Sequence, residues 1–121
     1  MMRVIVDGMN VIGARPDGWW RDRDGAVRRL VEQLGALDEP FAVVFDGRPL
    51  DDLAEGAHGR VLVAYARRGG RDAADDRIVE EVERDRHPST LTVVTSDAEL
   101  RRRVEALGAH VEGPTALLAR L

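Results

Sequence analysis

The sequence contains no cysteine and no lysine, and it has few aromatic residues and few histidines. Without cysteine there can be no disulfide framework, thiolate zinc site or cysteine nucleophile, and such a composition suits a reducing compartment, so we expect a soluble, cytoplasmic protein. All 18 basic residues are arginine, which excludes a Walker A phosphate loop and a Schiff-base lysine. No segment approaches the roughly 20 apolar residues that span a bilayer, and nothing resembles a signal peptide.

A chain of 121 residues has the length of one domain, which we expect to cover 1–121. Its formal charge of -4 argues weakly against a nucleic-acid partner, because phosphate binding depends on basic patches. The distribution of charge matters more than the total. Three arginines lie between positions 67 and 71, and three more are consecutive at 101–103.

Short β-branched runs alternate along the chain with segments of helical periodicity. The predicted strands are 2–6, 41–45, 60–65, 91–95 and 109–112, and the predicted helices are 22–36, 73–85, 97–107 and 114–120. This alternation predicts an α/β fold, a three-layer sandwich in which helices flank a mainly parallel sheet. The predicted loops 8–21, 47–59 and 66–71 follow the first three strands. Ligands bind beyond the carboxyl ends of such strands, so we expect these loops at the functional edge.

Aspartates stand at the ends of three predicted strands. Asp7 closes the first strand, Asp46 closes the second, and Asp97 follows the fourth. Parallel strands bring these positions to one edge of the sheet. The helix 73–85 adds acidic residues at its N-terminal end, which points to the same edge: Asp72, Asp75 and Asp76.

Carboxylates at such short range repel one another, by roughly 4 kcal/mol for two charges about 4 Å apart at an effective dielectric near 20. A hard divalent cation, Mg²⁺ or Mn²⁺, is the simplest compensation because it prefers oxygen ligands. Zinc fits poorly, since the three histidines are scattered along the sequence. The predicted metal ligands are Asp7, Asp46, Asp75, Asp76 and Asp97.

Each aspartate also has an ordinary structural interpretation. Asp7 and Asp46 each precede glycine, and Asp-Gly is a common turn signal. Asp97 or Ser96 can cap the helix 97–107, and we expect Asp72 to cap the helix 73–85. The convergence of four acidic segments on one edge favours a functional site over independent turns and caps.

Four segments carry a family resemblance: VIVDGMNVIGA, VVFDGRP, DAADDRIVEEV and TVVTSDAELRRRV. In this order and spacing they resemble the PIN-like nucleases, in particular the YacP-like branch of the bacterial NYN-domain proteins. The resemblance covers nearly the whole chain. It implies a parallel sheet flanked by helices and a metal-dependent ribonuclease activity at an acidic pocket.

The resemblance also assigns roles to individual residues. Asp7 matches the metal ligand of the first strand, and Asn10 matches the asparagine that orients this carboxylate or a bound water. Asp75 and Asp97 match the acids of the helix and of the fourth strand, so these four residues are the predicted catalytic set. Asp46 is similar to the V-F-D-G acid of the related flap endonucleases, and Asp76 would assist Asp75. Long substrate-gripping elements of larger relatives are absent between the second strand and the acidic helix.

The predicted function is therefore metal-dependent endoribonucleolytic cleavage of single-stranded RNA, free or in a ribosomal context, with Mg²⁺ or Mn²⁺ as cofactor. Loop position makes Arg48, Arg68 and Arg71 candidates for contact with phosphate. In the pair Trp19–Trp20 we expect one ring to pack on the domain and the other, Trp20, to stack on a base.

The main alternative is a non-catalytic NYN-type module that binds RNA or a ribosome-associated partner. A hydrolase of the haloacid dehalogenase type is disfavoured because it needs a second aspartate where Met9 stands. A dinucleotide-binding Rossmann domain is disfavoured because the segment DGMNVIG lacks the glycine fingerprint.

Overall fold

The fold was determined as a computed structural model that describes residues 3–70 and 72–121. Within these ranges the strands are β1 (Arg3–Asp7), β2 (Phe41–Phe45), β3 (Gly56–His58), β4 (Val61–Tyr65), β5 (Leu91–Val94) and β6 (His110–Glu112). The α-helices are α1 (Gly8–Gly13), α2 (Arg23–Ala36), α3 (Ala73–Arg84), α4 (Ala98–Ala106) and α5 (Pro114–Leu118), and short 3-10 turns occur at Trp19–Arg21 and Pro88–Thr90. In this described part no helix is long and apolar enough to cross a membrane.

The strands form one sheet in the order β3-β4-β2-β1-β5-β6. All neighbouring strands are parallel except β3 and β4, which are antiparallel. From β1 the chain first extends the sheet through β2 and then returns to β5 on the other side of β1. The topological switch point therefore lies between β1 and β5, which is where ligands bind in open α/β sheets.

Helices cover both faces of the sheet because side chains alternate along each strand. Val6 packs into one core cluster with α1, α2 and α5, whereas its neighbour Ile5 packs into a second cluster with α3 and α4. The predicted three-layer α/β sandwich with a mainly parallel sheet is thereby confirmed. The described ends of the predicted strands and helices lie within two residues of the observed ones.

Two elements lie in segments that the sequence predicts as loops. Helix α1 begins directly after β1, where Gly8 allows a close approach to β2: a Cβ atom there would lie 2.5 Å from two ring atoms of Phe45. Gly8 therefore serves packing and not a turn, whereas Gly47 does occupy the left-handed region with φ of 84°. The edge strand β3 is short and has no β-branched residue, so nothing in its sequence indicates a strand.

Candidate functional site

An acidic cavity of about 280 Å³ opens at the carboxyl edge of the sheet, beside the switch point. The residues that line it are Asp7, Met9, Asn10, Asp46, Asp72, Ala74, Asp75 and Asp97. Four of the five predicted metal ligands thus share one cavity, and Asp76 is not among the lining residues. A larger groove of about 400 Å³ lies elsewhere, over Leu62 and Ala42 on the face of the sheet, and contains none of these aspartates.

Asp7 is the most buried carboxylate of the cavity, with 6% of its surface exposed. The Thr95 hydroxyl donates a hydrogen bond of 2.8 Å to Asp7 Oδ2. Burial raises the pKa of Asp7 to about 6, and the negative charges of Asp97 and Asp46 add to this effect. The hydrogen bond from Thr95 and the backbone N–H of Asn10 oppose it. Within the described part of the chain, the main influences on the pKa of Asp7 therefore include no positively charged side chain.

Asp75 lies in the first turn of α3 and is 9% exposed. Burial raises its pKa to about 7, and the charges of Asp7, Asp97 and Asp72 raise it further. Arg103 acts in the opposite direction but does not offset the rise. At neutral pH a proton or a metal ion is needed to relieve this clustering of charge.

Asp97 both lines the cavity and caps α4, because its Oδ1 accepts a hydrogen bond of 2.8 Å from the backbone N–H of Leu100. Asp72, in contrast, makes no capping hydrogen bond at the start of α3. It adopts a left-handed conformation with φ of 64° and lines the cavity. The expected capping role of Asp72 is therefore wrong.

Asn10 connects α1 to the loop that follows β5. Its Oδ1 accepts hydrogen bonds from the backbone N–H of Ser96 at 2.9 Å and from the Ser96 hydroxyl at 3.0 Å. The side chain that contacts the Asp7 carboxylate is Thr95, which the sequence analysis did not single out. Thr95 also accepts a hydrogen bond of 3.1 Å from the backbone N–H of Asp97, so its hydroxyl links the ends of β1 and β5. Its only sequence signal is that it is the first residue of the segment TSD, residues 95–97, within TVVTSDAELRRRV.

Two predicted ligands are paired with arginine. Arg23 on α2 donates to Asp46 Oδ1 and, at 3.0 Å, to the Asp46 backbone carbonyl. Asp76 accepts hydrogen bonds from Arg68 at 2.6 Å and from Arg103 at 3.0 Å. The hydrogen bond from Arg103, and to a smaller extent that from Arg68, lowers the pKa of Asp76 below its ordinary value. Asp76 thus already has cationic partners outside the cavity.

The predicted substrate-binding residues occupy different surroundings. Trp20 is 62% exposed, whereas Trp19 packs against the core and meets Trp20 edge to face with ring centroids 6.1 Å apart. Arg48 is exposed and lines a separate cavity of about 380 Å³ that also contains Arg23. Arg68 is exposed, and Arg71 lies outside the described residues.

The cavity fits a hydrated cation better than a directly enclosed one. Its five carboxylates offer oxygen, the donor that Mg²⁺ and Mn²⁺ prefer. Yet no group of three or more acidic or imidazole side chains in residues 3–70 and 72–121 is arranged to hold an ion directly. Mg²⁺ commonly keeps several waters and binds one or two carboxylates, and the volume of the cavity leaves space for such waters.

Comparisons with known proteins agree with this architecture. Residues 4–121 match the family model described as the YacP-like NYN domain. The UPF0178 protein mlr0875 of Mesorhizobium japonicum is 54% identical over 46 residues, which are 38% of this chain and 26% of that protein. The chain thus aligns with only about a quarter of the length of this curated relative.

Solved structures with the same fold include Rae1 (YacP) from Bacillus subtilis and a single-residue mutant of it. They give TM-scores of 0.74 and 0.77, each at 24% sequence identity over 98% of this chain. The matched regions cover 72% and 74% of those chains. The likeness at this identity establishes a shared fold.

Proposed function

Since this chain belongs to the YacP-like NYN domain family, we propose that it is a metal-dependent endoribonuclease that hydrolyses phosphodiester bonds in single-stranded RNA. The family is consistent with a nuclease or an RNA-associated role. The observation that supports the enzymatic form is the pair Asp7 and Asp75, whose buried carboxylates have raised pKa values beside the switch point. Buried groups of this kind in a cleft are typical of functional sites.

We assign a hydrated cation, Mg²⁺ or Mn²⁺, to the cavity formed by Asp7, Asp46, Asp75 and Asp97. When bound, such an ion stabilises negative charge on a phosphate and lowers the pKa of a water. Thr95 fixes the orientation of the Asp7 carboxylate through its 2.8 Å hydrogen bond. The Oδ1 atom of Asn10 is occupied by Ser96, so Asn10 offers its amide N–H groups to a water or a phosphate oxygen.

RNA is the proposed substrate, free or in a ribosomal context. The acidic cavity repels phosphate unless a cation occupies it, so the surrounding arginines must attract the chain, and a bound metal adds to this attraction. Arg48 and Arg68 are exposed at this edge, and we keep Arg71 with them as a candidate on loop position alone. The exposed ring of Trp20 offers a stacking surface for an unpaired base, a contact worth about 1 to 3 kcal/mol.

The direct test is cleavage of labelled single-stranded RNA, free and within ribosomal complexes, by purified protein with Mn²⁺, Mg²⁺ or EDTA. We expect cleavage with either metal, none in EDTA, and none by Asp7→Asn, which keeps the hydrogen bond from Thr95 but removes the charge. Asp38→Asn is the matched control, since Asp38 is a 90% exposed side chain paired with Arg60.

Absence of cleavage of every substrate by a folded wild-type protein would support the alternative, a non-catalytic NYN-type module that binds RNA or a ribosome-associated partner. Equal cleavage by wild type and Asp7→Asn would show that the assigned carboxylate is not part of the reaction.

A further inference from the structure

Asp76 holds two arginines that come from different elements. Arg68 belongs to the segment after β4, and Arg103 belongs to α4. Their guanidinium groups bind opposite oxygens of the same carboxylate, Arg68 at Oδ2 and Arg103 at Oδ1. Asp76 directly follows Asp75, which lines the acidic cavity, so the pair of arginines lies beside the cavity.

The pair retains unused charge and unused hydrogen-bond donors. Two guanidinium groups share one carboxylate, which leaves a net charge of about +1. A guanidinium carries five N–H donors, and in the described structure each of these two uses one of them, on Asp76. The neighbouring Arg67 differs, since two of its nitrogens donate to both oxygens of Glu80.

Both guanidinium groups are reachable from solvent. The Arg68 side chain is 74% exposed and the Arg103 side chain is 35% exposed. Arg103 is close enough to the cavity for its charge to act on Asp75. An anion bound between the arginines would therefore lie next to whatever the cavity holds.

We propose that Arg68 and Arg103, held side by side by Asp76, form a binding site for an RNA backbone phosphate adjacent to the one at the acidic cavity. Asp76 is then a positioning residue for the arginines and not a metal ligand. This inference rests on the proposed action on RNA, and it adds Arg103 and a role for Asp76 to it. Guanidinium groups bind phosphate oxygens in a planar, often bidentate geometry.

The site also explains how an acidic protein attracts a polyanion. The formal net charge is -4, and the cavity itself adds to the repulsion of phosphate. A local positive charge beside the cavity gives the RNA chain an attractive contact at the place where it must enter. The alternative is a purely structural link between α3 and α4, and such exposed ion pairs contribute little stability.

The test is the binding of fluorescein-labelled single-stranded RNA in EDTA, which prevents metal-dependent cleavage, measured by anisotropy over a range of salt concentrations. We expect Arg103→Gln and Arg68→Gln to weaken binding several-fold at low salt. Each should also reduce the slope of log affinity against log salt by about 0.7, the contribution of one phosphate contact in a single strand. Arg101→Gln is the matched control, because Arg101 lies on the same helix, is paired with Glu105 and has a 61% exposed side chain.

Two further variants test the geometry of Arg103 and the role of Asp76. Arg103→Lys keeps the charge but lacks the planar fork, so we expect it to keep the salt slope and to lose part of the affinity. Asp76→Asn should keep the wild-type thermal shift with Mn²⁺, and loss of that shift would make Asp76 a metal ligand after all. Melting curves of every variant establish that it is folded.

The outcomes separate this inference from the proposed enzyme. If Arg103→Gln and Arg101→Gln have equal affinity and slope while the wild type cuts RNA with Mn²⁺, the phosphate site is refuted and the nuclease stands. If RNA binding depends on Arg103 but nothing is cut, the phosphate site stands and the nuclease fails. If the wild type shows no salt-dependent binding to RNA, the phosphate site is refuted whatever the cleavage assay gives.

Discussion

The two ends of helix α3 carry aspartates in opposite electrostatic settings. Asp85, just after the helix, receives two hydrogen bonds from Arg3, at 2.6 and 2.8 Å, and these hold its pKa at about 2. Asp75, in the first turn, is buried among other carboxylates, and its pKa is raised to about 7. Strand β1 connects the same two environments, since Arg3 begins it and Asp7 ends it.

This difference separates a carboxylate that stabilises the fold from one that is available to a ligand. At the amino end of the sheet, Arg3 neutralises the charge of Asp85 and donates hydrogen bonds to both of its oxygens, so this carboxylate needs no further ligand. Among the described residues no arginine forms such a hydrogen-bonded pair with Asp7 or Asp75, so folding holds these two carboxylates in an unfavourable electrostatic environment. Such local conflicts with stability are typical of functional sites.

Neutralising Asp75 and neutralising Asp85 should have opposite effects on the metal-free melting temperature, and only the first should affect cleavage. We expect Asp75→Asn to lower the cleavage rate by about 100-fold or more, since even outer-shell partners of a metal commonly contribute 10-fold to 100-fold. Its metal-free melting temperature should rise, because one member of a repelling cluster is neutral. Asp85→Asn should retain cleavage and melt at a lower temperature. Rate assays with Mn²⁺ and melts in EDTA measure both quantities, and similar behaviour of the two variants would remove the distinction.

Divalent metal should stabilise the acidic end of the molecule. Binding to the native state alone raises the free energy of unfolding by about 2.7 kcal/mol at a hundredfold excess of metal over its dissociation constant. Thermal melts of the wild type with Mn²⁺ and with EDTA test this, and Asp75→Asn should show a smaller shift. Equal melting temperatures at millimolar Mn²⁺ would mean that the cavity does not bind the ion.

The two ends should also respond oppositely to pH in the metal-free protein. The pKa values of Asp7 and Asp75 in the fold are about 6 and 7, above the ordinary value near 4. Protonation of these two groups therefore stabilises the fold fully below about pH 4, and this contribution is lost as the pH rises through 6 to 7. Asp85 titrates at about 2, so its stabilisation is present above about pH 4 and is lost as the pH falls through 2. We therefore expect the melting temperature in EDTA to peak at roughly pH 4 to 5.

Saturating Mn²⁺ should flatten the fall in melting temperature between about pH 5 and 7, because the metal competes with protons for the same oxygens. A melting temperature in EDTA that rises steadily from pH 5 to 8 would contradict the raised pKa values of the cavity.

Breaking the ion pair between Arg23 and Asp46 should have a smaller effect on metal binding and stability. Arg23→Gln leaves Asp46 without its ion pair and removes a positive charge near the metal site. We expect Mn²⁺ affinity to rise a few-fold in a thermal-shift titration, and metal-free stability to change by less than about 1 kcal/mol, as for other exposed pairs. The control is Arg28→Gln, because Arg28 lies on the same helix as Arg23 and forms an exposed ion pair with Asp52. Weaker Mn²⁺ binding by Arg23→Gln would instead make Arg23 a residue that positions Asp46.

Much of the fold follows from local sequence pattern. The β-branched runs that end in Asp7 and Asp46 predict parallel strands and the edge at which their carboxylates meet, and the predicted family is confirmed. Helix α1 was missed because Asp-Gly at positions 7 and 8 is typical of a turn. A glycine is needed at position 8 because the ring of Phe45, which is distant in sequence, packs against it. The weak strand β3 was missed because only its pairing with β4 defines it.

The electrostatic differences among the aspartates could not be predicted from sequence. Asp75 and Asp76 are adjacent and chemically identical, yet one faces the cavity and the other faces two arginines. The hydrogen bond of Thr95 to Asp7 spans 88 positions of sequence. Partners of this kind are fixed by tertiary packing, whereas strand ends are fixed by local pattern. The roles assigned to the site residues remain predictions.

The contact between Gly8 and Phe45 also has a consequence for motion. Asp7 is joined on one side to a buried central strand and on the other to a helix with no space for an added methyl group, so neither neighbour can shift without disturbing the core. We infer that amide hydrogens around Asp7 exchange with solvent only when the whole sheet opens. The segment 66–70 has no helix or strand and ends in two glycines, so its amides should exchange through local opening. We therefore expect slow exchange at the end of β1, which carries Asp7 of the acidic cavity, and rapid exchange in the segment 66–70, which shortly precedes Asp72 of the cavity in sequence.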